Sequence, residues 1–82
     1  MAATQKHSDA FGAVLRAYRQ QRSLTQEQLS ERVGVVHSFI CSLESGKKQP
    51  SLKMILKLGA ALGVRPGELV DAAAEREAAK GR

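Results

Sequence analysis

Two short helical patterns meet at a glycine in the stretch TQEQLSERVGVVHSFICSLES, Thr25 to Ser45. Thr25 followed three residues later by Gln28 is a capping-box pattern, in which side chains satisfy backbone N–H groups that a helix's first turn leaves unpaired. That helix runs to Val33, where Gly34 tolerates the left-handed backbone of a tight turn. A second pattern covers about Val36 to Glu44, with Ile40 and Leu43 inward and Ser45-Gly46 ending it. Leu29, Val33, Val35, Ile40 and Leu43 suit the wedge between two helices crossing at roughly 90–120°. Ser30 stands where such helices approach most closely, and a larger side chain there would pry them apart. The pair reads as a helix-turn-helix. The outward positions of its later helix are His37, Ser38, Cys41 and Ser42, mostly small, polar groups near the helix N-terminus, as a helix that reads base edges requires.

The same helical period extends in both directions. Phe11, Val14, Leu15 and Tyr18 recur at i, i+3, i+4 and i+7, one face of a first helix that Ser8 or Asp9 can cap. Lys47-Lys48-Gln49-Pro50 is a basic loop, and Ser51 caps a fourth helix that Gly63 stops after Leu62. Its expected inward stripe is Leu52, Ile55, Leu56, Gly59 and Leu62. Pro66 suits the first turn of a short fifth helix holding Leu69 and Val70. From Asp71 the chain is mostly Ala, Glu, Arg and Lys with no large apolar group, able to extend the helix but not to anchor itself. No strand-like alternation, repeat or hairpin signal appears. The expected fold is all-α, a compact five-helix bundle at 8–70, with a flexible arm at 1–7 and a charged, Ala-rich tail at 71–82.

Composition narrows the function. With 82 residues the chain predicts one domain and no separate catalytic or ligand-sensing unit. Hydrophobic residues make up 43%, too many for a disordered chain. No window approaches the ~18 consecutive apolar residues of a membrane span, and the N-terminus lacks a secretory signal pattern. One cysteine, Cys41, leaves no internal disulfide, so the expected location is a reducing cytoplasm. The net charge of +5 is uneven: residues 1–66 hold ten basic and four acidic groups, residues 67–82 three and four. The positive excess therefore belongs to the folded part and points to a polyanion such as nucleic acid. No Gly-rich phosphate loop, paired carboxylates or activated nucleophile is present, which argues against an enzyme. His37 and Cys41 are four apart on one helix face, but two ligands are too few for zinc, and no metal or cofactor is expected. Arg16, Arg22 and Arg32 read as surface charge.

The run Leu24-Thr-Gln-Glu-Gln-Leu, then Val33-Gly-Val, Ile40, Leu43-Glu-Ser-Gly-Lys-Lys-Gln-Pro-Ser-Leu and Leu62-Gly-Val resembles the Cro/C1-type (XRE) helix-turn-helix family over about residues 9–70. The resemblance implies a lambda-repressor-like DNA-binding domain and a homodimeric transcriptional regulator. By position, it implies that Gln26 contacts a DNA phosphate and braces the start of the reading helix. It places Val36, His37, Ser38, Cys41 and Ser42 at or beside the bases, and Lys47 and Lys48 at the backbone. Arg19 and Glu44 match a structural ion pair between the first and third helices. The sequence departs from the family at Val36, where Ser or Thr often caps the reading helix. With no Arg, Asn or Gln at the reading positions, specificity would rest on His37, apolar contacts and DNA shape.

One such domain covers one half-site, so a twofold dimer would place two reading helices about 34 Å apart on a near-palindromic operator. Met54, Leu58 and Ala61 flank the expected stripe of the fourth helix, and with Leu69 and Val70 they are the expected dimer interface. A phage-type repressor and a restriction–modification controller both fit these expectations. A different class is an antitoxin whose main partner is a toxin or regulator protein, with DNA binding secondary.

Overall fold

The computed structural model describes residues 9–80, with side chains from 10 to 79. The proposed arm at 1–7 lies outside them. Five helices follow in order: α1 (Asp9–Gln21), α2 (Gln26–Val33), α3 (His37–Ser45), α4 (Leu52–Leu62) and α5 (Pro66–Lys80). α1 lies against α3 and α5, α2 against α3 and α4, and α4 against α5. Leu15, Leu29, Ile40, Leu43, Leu58 and Leu69 are wholly buried where these faces converge. Every helix thus contributes to one core.

The local chemistry explains where the helices start and stop. Thr25 Oγ1 accepts from the Gln28 N–H at 3.0 Å, and Gln28 Oε1 accepts from the Thr25 N–H at 2.9 Å. This reciprocal pair satisfies donors that α2 would otherwise leave unpaired. Gly34 closes α2 with φ 86°, and its N–H donates to the Ser30 carbonyl at 2.8 Å. Ser30 is itself buried, and its hydroxyl donates back to the Glu27 carbonyl at 2.7 Å, so it carries no unpaired polar group into the α2–α3 wedge. Ser51 opens α4 by accepting from the Met54 N–H at 3.1 Å.

Three features depart from expectation. The inward stripe of α4 is Leu58, Gly59 and Leu62 with Ile55 half-buried, whereas Leu52 and Leu56 are 72% and 52% exposed. Leu58 and Leu69 therefore cannot form the expected dimer interface: both are 0% exposed within the protomer's own core. Met54 and Ala61 are half-buried against that core, and only Val70 of the expected set is exposed. Lys53 and Lys57, one turn apart, mark the outward side of α4; Leu52 and Leu56 fall nearer that side, and the stripe opposite it is Ile55, Leu58, Gly59 and Leu62. The second departure is at 71–80, which continues α5, with Ala72 and Ala73 packed on the core. Third, Arg22 and Arg32 are not idle surface charge. Arg22 Nε donates to the Leu62 carbonyl at 2.6 Å and Arg32 Nη1 to the Ala61 carbonyl at 3.3 Å. Two cations thus meet the negative end of α4, the favourable end for them.

α1 crosses close over the last turn of α3 at Gly12. A Cβ added at Gly12 would sit 2.5 Å from the Glu44 carbonyl oxygen and 2.6 Å from that of Leu43. Backbone blocks both sites, so Gly12→Ala must push α1 away from α3. We expect a loss of about 1–3 kcal/mol in urea unfolding, the usual cost of overpacking.

Candidate nucleic-acid interface

α3 presents one side to solvent. Val36, His37 and Ser38 are exposed at its start, and Cys41 and Ser42 are half-buried one turn on. Phe39 turns inward and packs against the core, which removes it from the exposed side. Val36 stands at the N-cap with 68% exposure and makes no side-chain capping bond. Its isopropyl group is thus free to meet an apolar surface such as a thymine methyl. Lys47 and Lys48 are exposed in the loop that follows, and the Lys48 N–H donates to the Ser42 carbonyl at 3.2 Å, tying the loop to α3.

Beneath this surface a polar network fixes the angle of α3. Arg19 Nε donates to Glu44 Oε2 at 2.6 Å and Arg19 Nη2 to Glu44 Oε1 at 3.1 Å. Arg19 Nη1 donates to the Leu24 carbonyl at 2.7 Å, so the same guanidinium also holds the α1–α2 turn. The two side chains are only 10% and 3% exposed. A bidentate, desolvated pair of this kind imposes direction as well as attraction. Gln26, the first residue of α2, adds the third helix: its Nε2 donates to Glu44 Oε1 at 3.0 Å.

That last bond settles the orientation of the Gln26 amide. A carboxylate only accepts, so the NH₂ group must face Glu44 and the carbonyl oxygen must face α3. There it accepts from the Cys41 thiol at 3.0 Å and lies 3.3 Å from His37 Nε2. His37 donates in the tautomer that carries hydrogen on Nε2. Sγ and Nε2 are themselves 3.5 Å apart. Gln26, His37 and Cys41 are therefore brought together, while Ser38 and Ser42 flank them. Sequence reasoning missed the thiol's part in this network. The signal was the Gln26–Cys41 separation of 15 residues, meaningful only once α2 and α3 cross.

Among the described residues, no three His, Cys, Asp or Glu side chains converge as a metal site would require. No described helix is long and apolar enough to cross a membrane. The arrangement offers hydrogen-bond donors, acceptors and a methyl surface on a rigidly held helix, with cations beside it. Such a face recognises rather than transforms.

A helix-turn-helix domain family matches residues 10–73. A protein of Methanothermobacter thermautotrophicus described as an uncharacterized HTH-type transcriptional regulator is 44% identical over 50 residues, covering 61% of this chain and 72% of its own. The crystal structure of the restriction-modification controller protein C.AhdI from Aeromonas hydrophila superposes with a TM-score of 0.74 at 39% identity, over 76% of this chain and 94% of the other. The clp gene regulator ClgR from Corynebacterium glutamicum superposes with a TM-score of 0.85 at 28% identity, over 92% and 80%.

Glu44→Ala removes the acceptor that serves both Arg19 and Gln26 and leaves a buried guanidinium unpaired. We expect a loss of about 3–5 kcal/mol in denaturant unfolding, the range for breaking one side of a buried pair. Gln26→Ala keeps the ion pair and is expected to cost about 1 kcal/mol, so the two variants separate pair from brace.

Proposed function

The chain belongs to the helix-turn-helix family of Cro/C1-type (XRE) transcriptional regulators, which bind DNA and are not enzymes, and from that premise we propose a specific docking mode. It acts as a homodimer on a near-palindromic operator, with α3 of each copy in the major groove. Val36, His37, Ser38, Cys41 and Ser42 face the bases; Gln26, Lys47 and Lys48 face phosphates. The observation that carries this reading is the three-helix brace of Arg19, Glu44 and Gln26 directly under the exposed side of α3. A buried network costs desolvation, and it is most useful where the angle of one surface must be held.

The reading face predicts how specificity arises. His37 and the two serines make single hydrogen bonds, and Val36 supplies an apolar contact, so no position offers a bidentate base pair. Discrimination at each base is therefore modest, and groove shape adds to it. For the dimer contact, Leu52 and Leu56 replace the buried Leu58 and Leu69. They lie one turn apart on α4 and are the most exposed leucines among the described residues, and Val70 on α5 is exposed as well. The occupant proposed for this face is a second copy of the chain, because two linked reading helices convert two weak half-site contacts into one tight complex.

Selection from random duplex DNA near physiological salt tests the docking. We expect an enriched inverted repeat with half-site centres one helical turn, about 34 Å, apart. Enrichment of no sequence would leave non-specific binding or a protein partner as the principal activity. For the dimer, sedimentation of Leu56→Glu is expected to show at least a tenfold weaker association with the unfolding midpoint retained. Unchanged association would move the interface elsewhere.

A further inference from the structure

Three of the six described arginines are engaged by the fold through their side chains. Arg19 pairs with Glu44, and Arg22 and Arg32 bind carbonyls at the end of α4. Arg16, Arg65 and Arg76 differ: all three are exposed, and among the described residues none makes a side-chain hydrogen bond or ion pair. Arg16 of α1 and Arg76 of α5 nevertheless line one open cleft of about 630 Å³. Ala13 and Ala17, one turn apart on α1, Gln20, and Glu44 and Ser45 at the end of α3 complete its lining.

The chemistry of this cleft is one-sided. Two guanidiniums and the Gln20 amide offer donors. The Ser45 hydroxyl is committed to its own helix, donating to the Ser42 carbonyl at 3.2 Å. The one carboxylate in the lining, Glu44, is 3% exposed and already bound by Arg19 and Gln26, so its charge is neutralised before any ligand arrives. Small side chains in the lining let a compact group approach the helix. A set of guanidiniums around an open, unfilled space suits a multi-oxygen anion, above all a phosphate.

Position chooses the source. Glu44 belongs at once to the lining of the cleft and to the brace beneath the reading face, so the cleft begins where the DNA surface ends. We infer that Arg16 and Arg76, with Gln20, form a further DNA-backbone clamp beside the reading helix, taking a phosphate that Gln26, Lys47 and Lys48 do not reach. This inference rests on the DNA-docking reading above. The clamp carries no sequence information; it adds affinity and fixes register through a helix, α5, that otherwise stands outside the motif.

The test compares wild type, Arg16→Gln/Arg76→Gln, Arg16→Lys/Arg76→Lys and Lys47→Gln/Lys48→Gln on a duplex of about 30 base pairs, or three helical turns. For Arg16→Gln/Arg76→Gln, the plot of log K against log salt should become shallower by about 0.9 or more, which corresponds to about 8-fold weaker binding at 0.1 M salt. The Lys pair should keep the wild-type slope, and both arginine variants should keep the wild-type unfolding midpoint and order of preferred sequences. The Arg16 and Arg76 side-chain Nε–H resonances should shift with the duplex and not with polyglutamate at equal charge. An unchanged slope in the Gln pair, while Lys47→Gln/Lys48→Gln lowers it, overturns the clamp and leaves the docking reading standing. Resonances that respond to polyglutamate alone overturn it in favour of an acidic protein. Wild type that shows no salt-dependent duplex binding removes the docking reading and the clamp together.

Discussion

The carboxylate of Glu44 is the point on which the reading surface depends. It lies at the end of α3, accepts from two of the three guanidinium nitrogens of Arg19 on α1, and accepts from the amide of Gln26 on α2. Three helices are thereby held to one geometry. Burial makes this a demanding arrangement, because a carboxylate so far from water must be fully partnered. It is also what gives the arrangement directional force, since a bidentate pair and an oriented amide tolerate little rotation of α3 about its axis.

The orientation passes outward through single atoms. Glu44 turns the Gln26 amide, the amide presents its carbonyl to Cys41 and His37, and the exposed side of α3 is set one layer above. Gly12 contributes from the other direction by letting the backbone of α1 close on the last turn of α3. Apolar burial supplies most of the stabilisation, but it is non-directional. The polar brace and the close backbone crossing supply the direction that recognition of a regular double helix requires.

Much of this was legible in the chain. Thr25 and Gln28, Gly34, and the spacing of Leu29, Val33, Ile40 and Leu43 are local signals, each acting over a few residues, and they locate α2, the turn and α3. Ser51 and Gly63 bound α4 in the same way. The inward face of α4 was legible but misjudged: Lys53 and Lys57, one turn apart, mark its polar side, and the stripe opposite them, Ile55, Leu58, Gly59 and Leu62, is the one turned inward while Leu52 and Leu56 stay at the surface. The docking of 71–80 was hidden because its alanines form no large apolar stripe, although Ala72 and Ala73 pack against the core.

What the sequence determined by itself was the set of elements and the kind of surface. Caps, turns and helical periodicity depend on neighbours within about four residues, and an excess of positive charge in the first 66 residues needs no fold to be counted. What only the tertiary structure decided was which distant groups meet. The Gln26 amide facing Cys41, Arg22 and Arg32 at the end of α4, and Arg16 with Arg76 in the lining of one cleft all join residues many positions apart. Such pairings follow from helix crossing angles and backbone separations, which arise from packing all five helices at once and are written in no single stretch of the chain.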